Sequence, residues 1–234
     1  MNYNQYLKLE EERMEINKRH LLNGVDFIDL KTAYINDSVI IGKGTVIYPN
    51  VVLEGDVIIG ENCYIGLGTK IVNSKIGSET KIESSYIMDS IVGNKTTVGP
   101  FAFIRPNSNI GDGCKVGDFV EVKNSTLGNG TKASHLAYIG DSDVGQNVNI
   151  GCGVVFVNYD GSKKYRSIVE DGAFIGCNVN IISPVTVESG AYIAAGSTVT
   201  LDVPSGALCV ARAKARIIEG WVSKRGLLNK DKEV

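Results

Sequence analysis

The sequence is poor in the residues that build metal centres and redox pairs. Only two histidines, His20 and His135, occur in 234 residues, too few for a histidine-rich zinc site. The five cysteines (Cys63, Cys114, Cys152, Cys177 and Cys209) are odd in number, widely spaced and without a CxxC pair, so neither a disulfide framework nor a zinc site is signalled. They read as free thiols in a reducing compartment. Blocks of like charge are missing too. The net charge is −2 with pI near 5.8, and lysines and arginines are interspersed with acids, which leaves no field to gather nucleic acid or an anionic membrane. No apolar run approaches the roughly 18 residues of a membrane span, and no apolar stretch precedes a cleavage site near the N-terminus. A cytoplasmic protein that binds neither nucleic acid nor membrane, and holds no metal, is expected.

Apolar residues make up 43% of the chain at a mean hydropathy of +0.02, enough to bury the core of one large domain or two small ones. Residues 2–22 differ from all that follows. They contain no Gly or Pro, have Asn2 at an N-cap position, carry acids in their first half and place Lys18, Arg19 and His20 near their end, which suits a helix macrodipole. Tyr3, Tyr6, Leu7, Met14 and Leu21 form an imperfect apolar stripe, and Gly24 is the expected stop. His20 reads as a cation at the helix C-terminus.

From Ile41 a six-residue period appears. An aliphatic recurs at Ile41, Ile47, Leu53, Ile59, Ile65 and Ile71, often followed by Gly, and four places beyond each stands a small or β-branched residue such as Thr45, Val51 or Cys63. The ladder resumes from Val92 to Val122 and from Val169 to Val199. A sustained period this short predicts a parallel β-helix of hexapeptides. Three hexads would close one coil of a triangular prism, with the aliphatic and its companion both inward and Gly or polar residues at the turns. Stacked coils satisfy one another's backbone groups, so the ends need caps, which the front helix and the rear tail can supply. Cys63 and Cys114 fall on the inward companion position. Cys152 and Cys177 fall outside the core register, facing either a ligand or solvent.

His135 sits in the hexad 133–138 (ASHLAY), where Ala133 replaces the large aliphatic. Its two-residue offset from the core position aims it outward, and an outward imidazole suits a general base. Glu121 and Lys123 lie one coil earlier, on nearby edges at the ~4.8 Å spacing of stacked strands. After Phe156 the ladder breaks into a polar insertion, 157–168 (VNYDGSKKYRSI), of the kind that carries binding residues. By themselves these features indicate a ligand site with a candidate base and an anion-binding rim.

The segments RPNS from Arg105, GDFVEVKNS, GTKASHLAYIGD, NVNIGCG, NYDGSKKY, SPVT, YIAAGSTVT, DVP and EGW together resemble the C-terminal acetyltransferase half of the bacterial bifunctional N-acetylglucosamine-1-phosphate uridyltransferase/glucosamine-1-phosphate acetyltransferases. The match is dense from Arg105 to Trp221, and the front (NKRHLLNGV, then VIIGKGTVIYPNVVLEG) is similar to the connecting helix and first coils of the same family. No Gly-rich nucleotide loop precedes the helix, so a complete chain would correspond to the acetyltransferase standing alone. The resemblance implies an all-β fold, a left-handed parallel β-helix of hexapeptide repeats with an N-terminal helix and a C-terminal tail. Its expected divisions are a helix and linker at 1–24, the β-helix at 25–203, and a tail at 204–234 that completes a neighbouring active site in a homotrimer.

The resemblance also implies a reaction: acetyl transfer from acetyl-CoA, a co-substrate rather than a resident cofactor, to the amine of glucosamine 1-phosphate, in the supply of UDP-N-acetylglucosamine for cell-wall precursors. Carried over position by position, it makes His135 the general base and Glu121 the group that orients or polarises it. Arg105, Lys123 and Lys164 become the cations around the sugar phosphate, and Tyr138 and Asn149 the sugar contacts. Asn158, Tyr159, Ala195 and Arg212 fall to acetyl-CoA. Cys152 and Cys177 stand where the family more often has Ala and Ser lining that site, which makes the pocket oxidisable or alters its acyl preference. The alternatives are a hexapeptide acyltransferase for another amino-sugar phosphate and a non-catalytic partner of a separate uridyltransferase. A zinc enzyme of the γ-carbonic anhydrase type would need more histidines than the chain has.

Overall fold

The computed structural model describes residues 1–227. The C-terminal end of the expected tail, 228–234, lies outside the described residues.

The chain begins with a helix, Tyr3–Leu22, capped by a reciprocal pair in which Asn2 accepts from the Gln5 amide and the Gln5 side chain accepts from Asn2 N–H. Asn23 closes it and Gly24 turns away at φ +87°. The imperfect apolar stripe is not the packed face: Tyr3, Tyr6, Leu7 and Leu21 are exposed, while Asn17 and His20 are buried and Ile16 touches the core. The reason is what lies beneath. The open end of a β-helix presents unpaired backbone carbonyls, and Asn17 Nδ2 donates to two of them, Leu30 O at 2.8 Å and Ala33 O at 3.0 Å. A polar face is what such an end requires.

His20 is likewise no exposed cation. Burial, with a smaller contribution from Arg19, pushes its imidazole below the ordinary histidine value, and its Nε2 has no partner. The unfolded chain takes up a proton that the folded chain resists. Stability is therefore full above the unfolded value of about 6.5 and declines as pH falls from there towards the folded value. Denaturant midpoints at neutral pH and at about pH 5 should differ less in His20→Phe than in the wild type. An undiminished difference would assign the effect elsewhere.

Behind the helix, about ten coils of parallel β-structure stack into a three-faced prism. Face one runs through Tyr64–Ile65, Thr97–Val98 and Phe174–Ile175, face two through Val52–Glu54, Phe103–Ile104 and Asn180–Ile182, and face three through Ile58–Ile59, Asn109–Ile110 and Thr186–Val187. All pairings between these strands are parallel and in register, so Ile47, Ile65 and Ile82 stack on face one and Leu53, Ile71 and Ile87 on face two. These aliphatics and their companions, from Thr45 to Ser197, are buried as the period requires, Cys63 and Cys114 among them. Glycine after the face-three aliphatic has a local cause: a Cβ on Gly42 would lie 2.6 Å from the backbone of Gly60 in the next coil. The repeat continues past Pro204, because Leu208–Cys209 still pairs with Tyr192–Ile193, with Ala207 and Cys209 against the core. A short helix, Trp221–Lys224, follows. None of the described helices is long and apolar enough to cross a membrane.

Two strands position the site. Lys115–Lys123 and Lys132–Gly140 run unbroken from face one around the first corner onto face two, paired over their whole length with Asp118 opposite His135 and Glu121 opposite Tyr138. The insertion after Val157 forms a small turn, with Tyr159 and Lys164 bridged antiparallel and Asp160 Oδ1 accepting from the amides of Ser162 and Lys163. Arg166 ties its base down by ion-pairing with Asp143 and donating to Asn124 O at 2.9 Å.

Candidate active site

At the first corner each coil turns on a residue with left-handed backbone: Phe101 (φ 58°), Phe119 (56°), Leu136 (35°), Gly153 (77°), Asn178 (54°) and Gly196 (72°). The residue just before each of these projects outward, so successive coils present Asp118, His135, Cys152, Cys177 and Ala195 in one column, about 4.8 Å per step. Hydrogen bonds along the column fix the stacking, from Gly153 N to Leu136 O, Asn178 N to Cys152 O and Gly196 N to Cys177 O at 2.7–2.8 Å. Arg212 reaches its far end, with Cδ 3.7 Å from where a Cβ on Gly196 would sit.

His135 is exposed, and its Nδ1 lies 2.6 Å from Asp118 Oδ1. A carboxylate only accepts, so Nδ1 donates, and a neutral ring then leaves Nε2 as a free acceptor aimed away from the prism. The same bond holds the Asp118 carboxyl below the usual carboxylate range. Beside the histidine, Phe101 and Phe119 stack at 5.7 Å and, with Leu136, form an exposed apolar ridge.

A second group gathers where face two turns into face three. Arg105 Nη1 donates to Glu121 Oε1 at 2.7 Å, and Lys123 Nζ lies 3.5 Å from Asp141 Oδ2. Asp141 is buried at the centre. It accepts from Asn124 Nδ2 at 2.6 Å and from Asn158 Nδ2, the three side chains standing in one stacked column. Burial opposes ionisation of Asp141, but the bonds from Asn124 and Asn158 and the charge of Lys123 outweigh it and hold the carboxyl low. Lys164, at the tip of the insertion, is pushed below the ordinary lysine value by contact with Lys123 and by the charges of Lys123 and Arg105. Three cations thus face only two carboxylates, Glu121 and Asp141, which leaves the rim an excess of positive charge. Tyr138 lies between the two groups, three residues along the strand from His135 or roughly 10 Å.

The structure therefore brings most of the expected residues together, in two sets. The acid against His135 is Asp118, and Glu121 is engaged by Arg105 instead. Asn158 belongs with the cations: it is buried on Asp141, with Nδ2 3.4 Å from the Tyr138 hydroxyl, while Cys152, Cys177, Ala195 and Arg212 line the first corner. Tyr159 is exposed and donates to Gly161 O. Asn149 joins neither set, standing on face one between Lys132 and Phe174. Asp118 and Asp141 were missed, although a signal existed. Asp118 lies one coil, 17 residues, before His135, and Asp141 lies 17 after Asn124 and 17 before Asn158.

Known proteins share this arrangement of repeats. The family described as bacterial transferase hexapeptide (six repeats) matches residues 89–124 and 166–200, and the GMPPB C-terminal domain family matches 34–105. The Bifunctional protein GlmU of Clostridioides difficile (strain 630) is 56% identical over 213 residues, covering 91% of this chain and 46% of that protein. The chain corresponds to the C-terminal region of the GlmU proteins. Its relative from Clostridium botulinum (strain Kyoto / Type A2) is 51% identical across 98% of this chain and 51% of its own length. The chain thus spans about half the length of the curated GlmU relatives it matches. Among solved structures, an Arabidopsis UDP-N-acetylglucosamine acyltransferase superposes with a TM-score of 0.54 at 16% identity, covering 83% of this chain and 75% of that one. The fold is the left-handed parallel β-helix of hexapeptide repeats that the sequence resembles.

Proposed function

We propose that this chain transfers the acetyl group of acetyl-CoA to the amine of glucosamine 1-phosphate. The observation that carries the reading is the pairing of a carboxylate-held, outward histidine with a cation-rimmed face one strand segment away, in a chain that corresponds to the C-terminal region of the GlmU proteins. The amine must lose a proton before it can attack, since an ammonium has no lone pair. His135 Nε2 accepts that proton, and Asp118 holds the ring and stabilises the imidazolium. The amine nitrogen then bonds to the thioester carbonyl carbon, the carbon–sulfur bond breaks, the departing CoA sulfur receives the proton from His135, and the second proton that the new amide nitrogen sheds goes to solvent. Arg105, Lys123 and Lys164 hold the sugar phosphate through charge-assisted bonds, with Tyr138 beneath the ring. Cys152, Cys177, Ala195 and Arg212 line the acyl donor's path along the first corner.

Asn149 and the Phe101–Phe119–Leu136 ridge support a homotrimer. If face one of a neighbouring chain docks at the first corner, the ridge is covered and Asn149 reaches the acceptor across the seam. The tail would close that neighbour's site, a division into helix, β-helix and tail in which the last boundary moves from 204 to just after Cys209.

Mixing the protein with acetyl-CoA and glucosamine 1-phosphate should release free thiol in step with acetylated product. A panel of other amino-sugar phosphates decides the acceptor, and no release with any of them defeats the reading. The rim adds a pH signature. Because neighbouring cations lower Lys164, it discharges at a lower pH than an ordinary lysine, and the dianion loses a partner as pH rises through that value. The KM for the phosphate acceptor should therefore rise with alkaline pH, and Lys164→Arg, which stays charged, should flatten the rise.

A further inference from the structure

The geometry points to Cys152 and Cys177 as an oxidisable dithiol, a covalent modification site for low-molecular-weight disulfides that closes the first corner to the acyl donor. The two residues are 25 apart in sequence but equivalent in the repeat. Their flanking strands pair Ile150 with Ile175 and Val155 with Asn180, which sets Cys152 directly under Cys177. Coil contact here is tight. Asn178 N donates to Cys152 O at 2.8 Å, and a Cβ on Gly151 would meet Cys177 N at 2.6 Å and Cys177 Cα at 2.9 Å. Residues in register on adjacent coils have Cα atoms about 4.8 Å apart, inside the roughly 4.4–6.8 Å window a disulfide spans, and both side chains leave the prism on the same side.

The other three thiols do not compete. Cys63 and Cys114 are buried, each Sγ against a glycine carbonyl at 3.1–3.2 Å, and burial pushes both thiols up, while Cys209 is half-buried against the core. The thiolate is the attacking species, so exposure directs exchange to the corner pair. One cysteine thiolate attacks a sulfur of the external disulfide and expels one thiol, leaving a mixed disulfide. The second cysteine attacks the protein-side sulfur of that bond and expels the second thiol. The protein loses two protons and two electrons, and the external disulfide gains both as two free thiols. A side-chain bridge across the column would occupy the space between His135 and Arg212. The gating half of this proposal rests on the acyl-donor path proposed above, whereas the chemistry of the pair does not.

The test uses the full chain and oxidised glutathione. After exposure and alkylation of the remaining thiols, intact mass should show loss of two hydrogens per chain with no glutathione retained, and digestion should yield one Cys152–Cys177 cross-linked peptide. Cys152→Ala and Cys177→Ala should instead each retain a single glutathione. Two adducts on the wild type, no reaction, or a bridge between chains on a non-reducing gel would overturn the pairing. The oxidised protein should bind acetyl-CoA at least about tenfold more weakly, restored by dithiothreitol, and unchanged binding would overturn the gating. If the reduced protein does not bind acetyl-CoA, the acyl-donor reading fails while the mass result still decides the pair.

Discussion

Replacing His135 with alanine should all but abolish acetyl transfer while leaving the β-helix intact. Loss of a positioned general base lowers turnover by roughly 10² to 10⁴. The side chain is 59% exposed and packs on nothing in the core, so unfolding stability should move by no more than about 0.5 kcal/mol. The acceptor KM should change little, because the phosphate is held at the other corner by Arg105, Lys123 and Lys164. Thiol release and denaturant melts on the same preparation decide the matter: retained turnover removes His135 from the mechanism. Asp118→Asn is the informative companion. The amide can still approach Nδ1 through its oxygen but brings no charge to the imidazolium, so turnover should fall by less than in His135→Ala, with both KM values held.

How much of this was legible in advance depended on whether a residue obeys the period. Ile47, Ile65 and Ile82 are inward because each must cover the coil below, and a six-residue register states that requirement directly. The same register aimed His135 outward. The packed face of the front helix could not be read from its imperfect apolar stripe, because the partner here is an open coil end that wants donors, which Asn17 supplies. The β-helix runs one strand past the expected end at 203, because the aliphatic ladder fades at Pro204 while Ala207 and Cys209 are still apolar enough to seat a further strand.

Neither Asp118 and Asp141 nor the pairings of the candidate site were legible in the sequence. Motif resemblance singles out Glu121 and His135, yet which carboxylate meets which cation depends on stacking: Asp118 is in register with His135, and Glu121 with Tyr138. Asn158 follows the same rule. The resemblance gives it to acetyl-CoA, and its coil position places its side chain against Asp141.

Asp141 is where the second large effect is expected. It is 6% exposed and serves Asn124, Asn158 and Lys123 at once. Asp141→Ala strands the buried Asn158 amide, the half-buried Asn124 amide and the largely desolvated Lys123 ammonium, a change that should cost about 3 kcal/mol of unfolding free energy. It should also raise the acceptor KM on the order of tenfold, about 1.4 kcal/mol, because Asn158 anchors the insertion that carries Lys164. Asp141→Asn keeps the shape and one accepting oxygen, so it should fall between wild type and alanine in stability. If Asp141 mattered only as a charge opposing the phosphate, both variants would bind acceptor more tightly than wild type; weaker binding in Asp141→Ala is what a scaffold role requires. Acid separates the two roles again. The depressed carboxyl contributes its full stability above the unfolded value of about 3.9 and loses it as pH falls from there through the folded value. Wild-type melts should weaken across that window, and those of Asp141→Asn, with no carboxyl to protonate there, should weaken less.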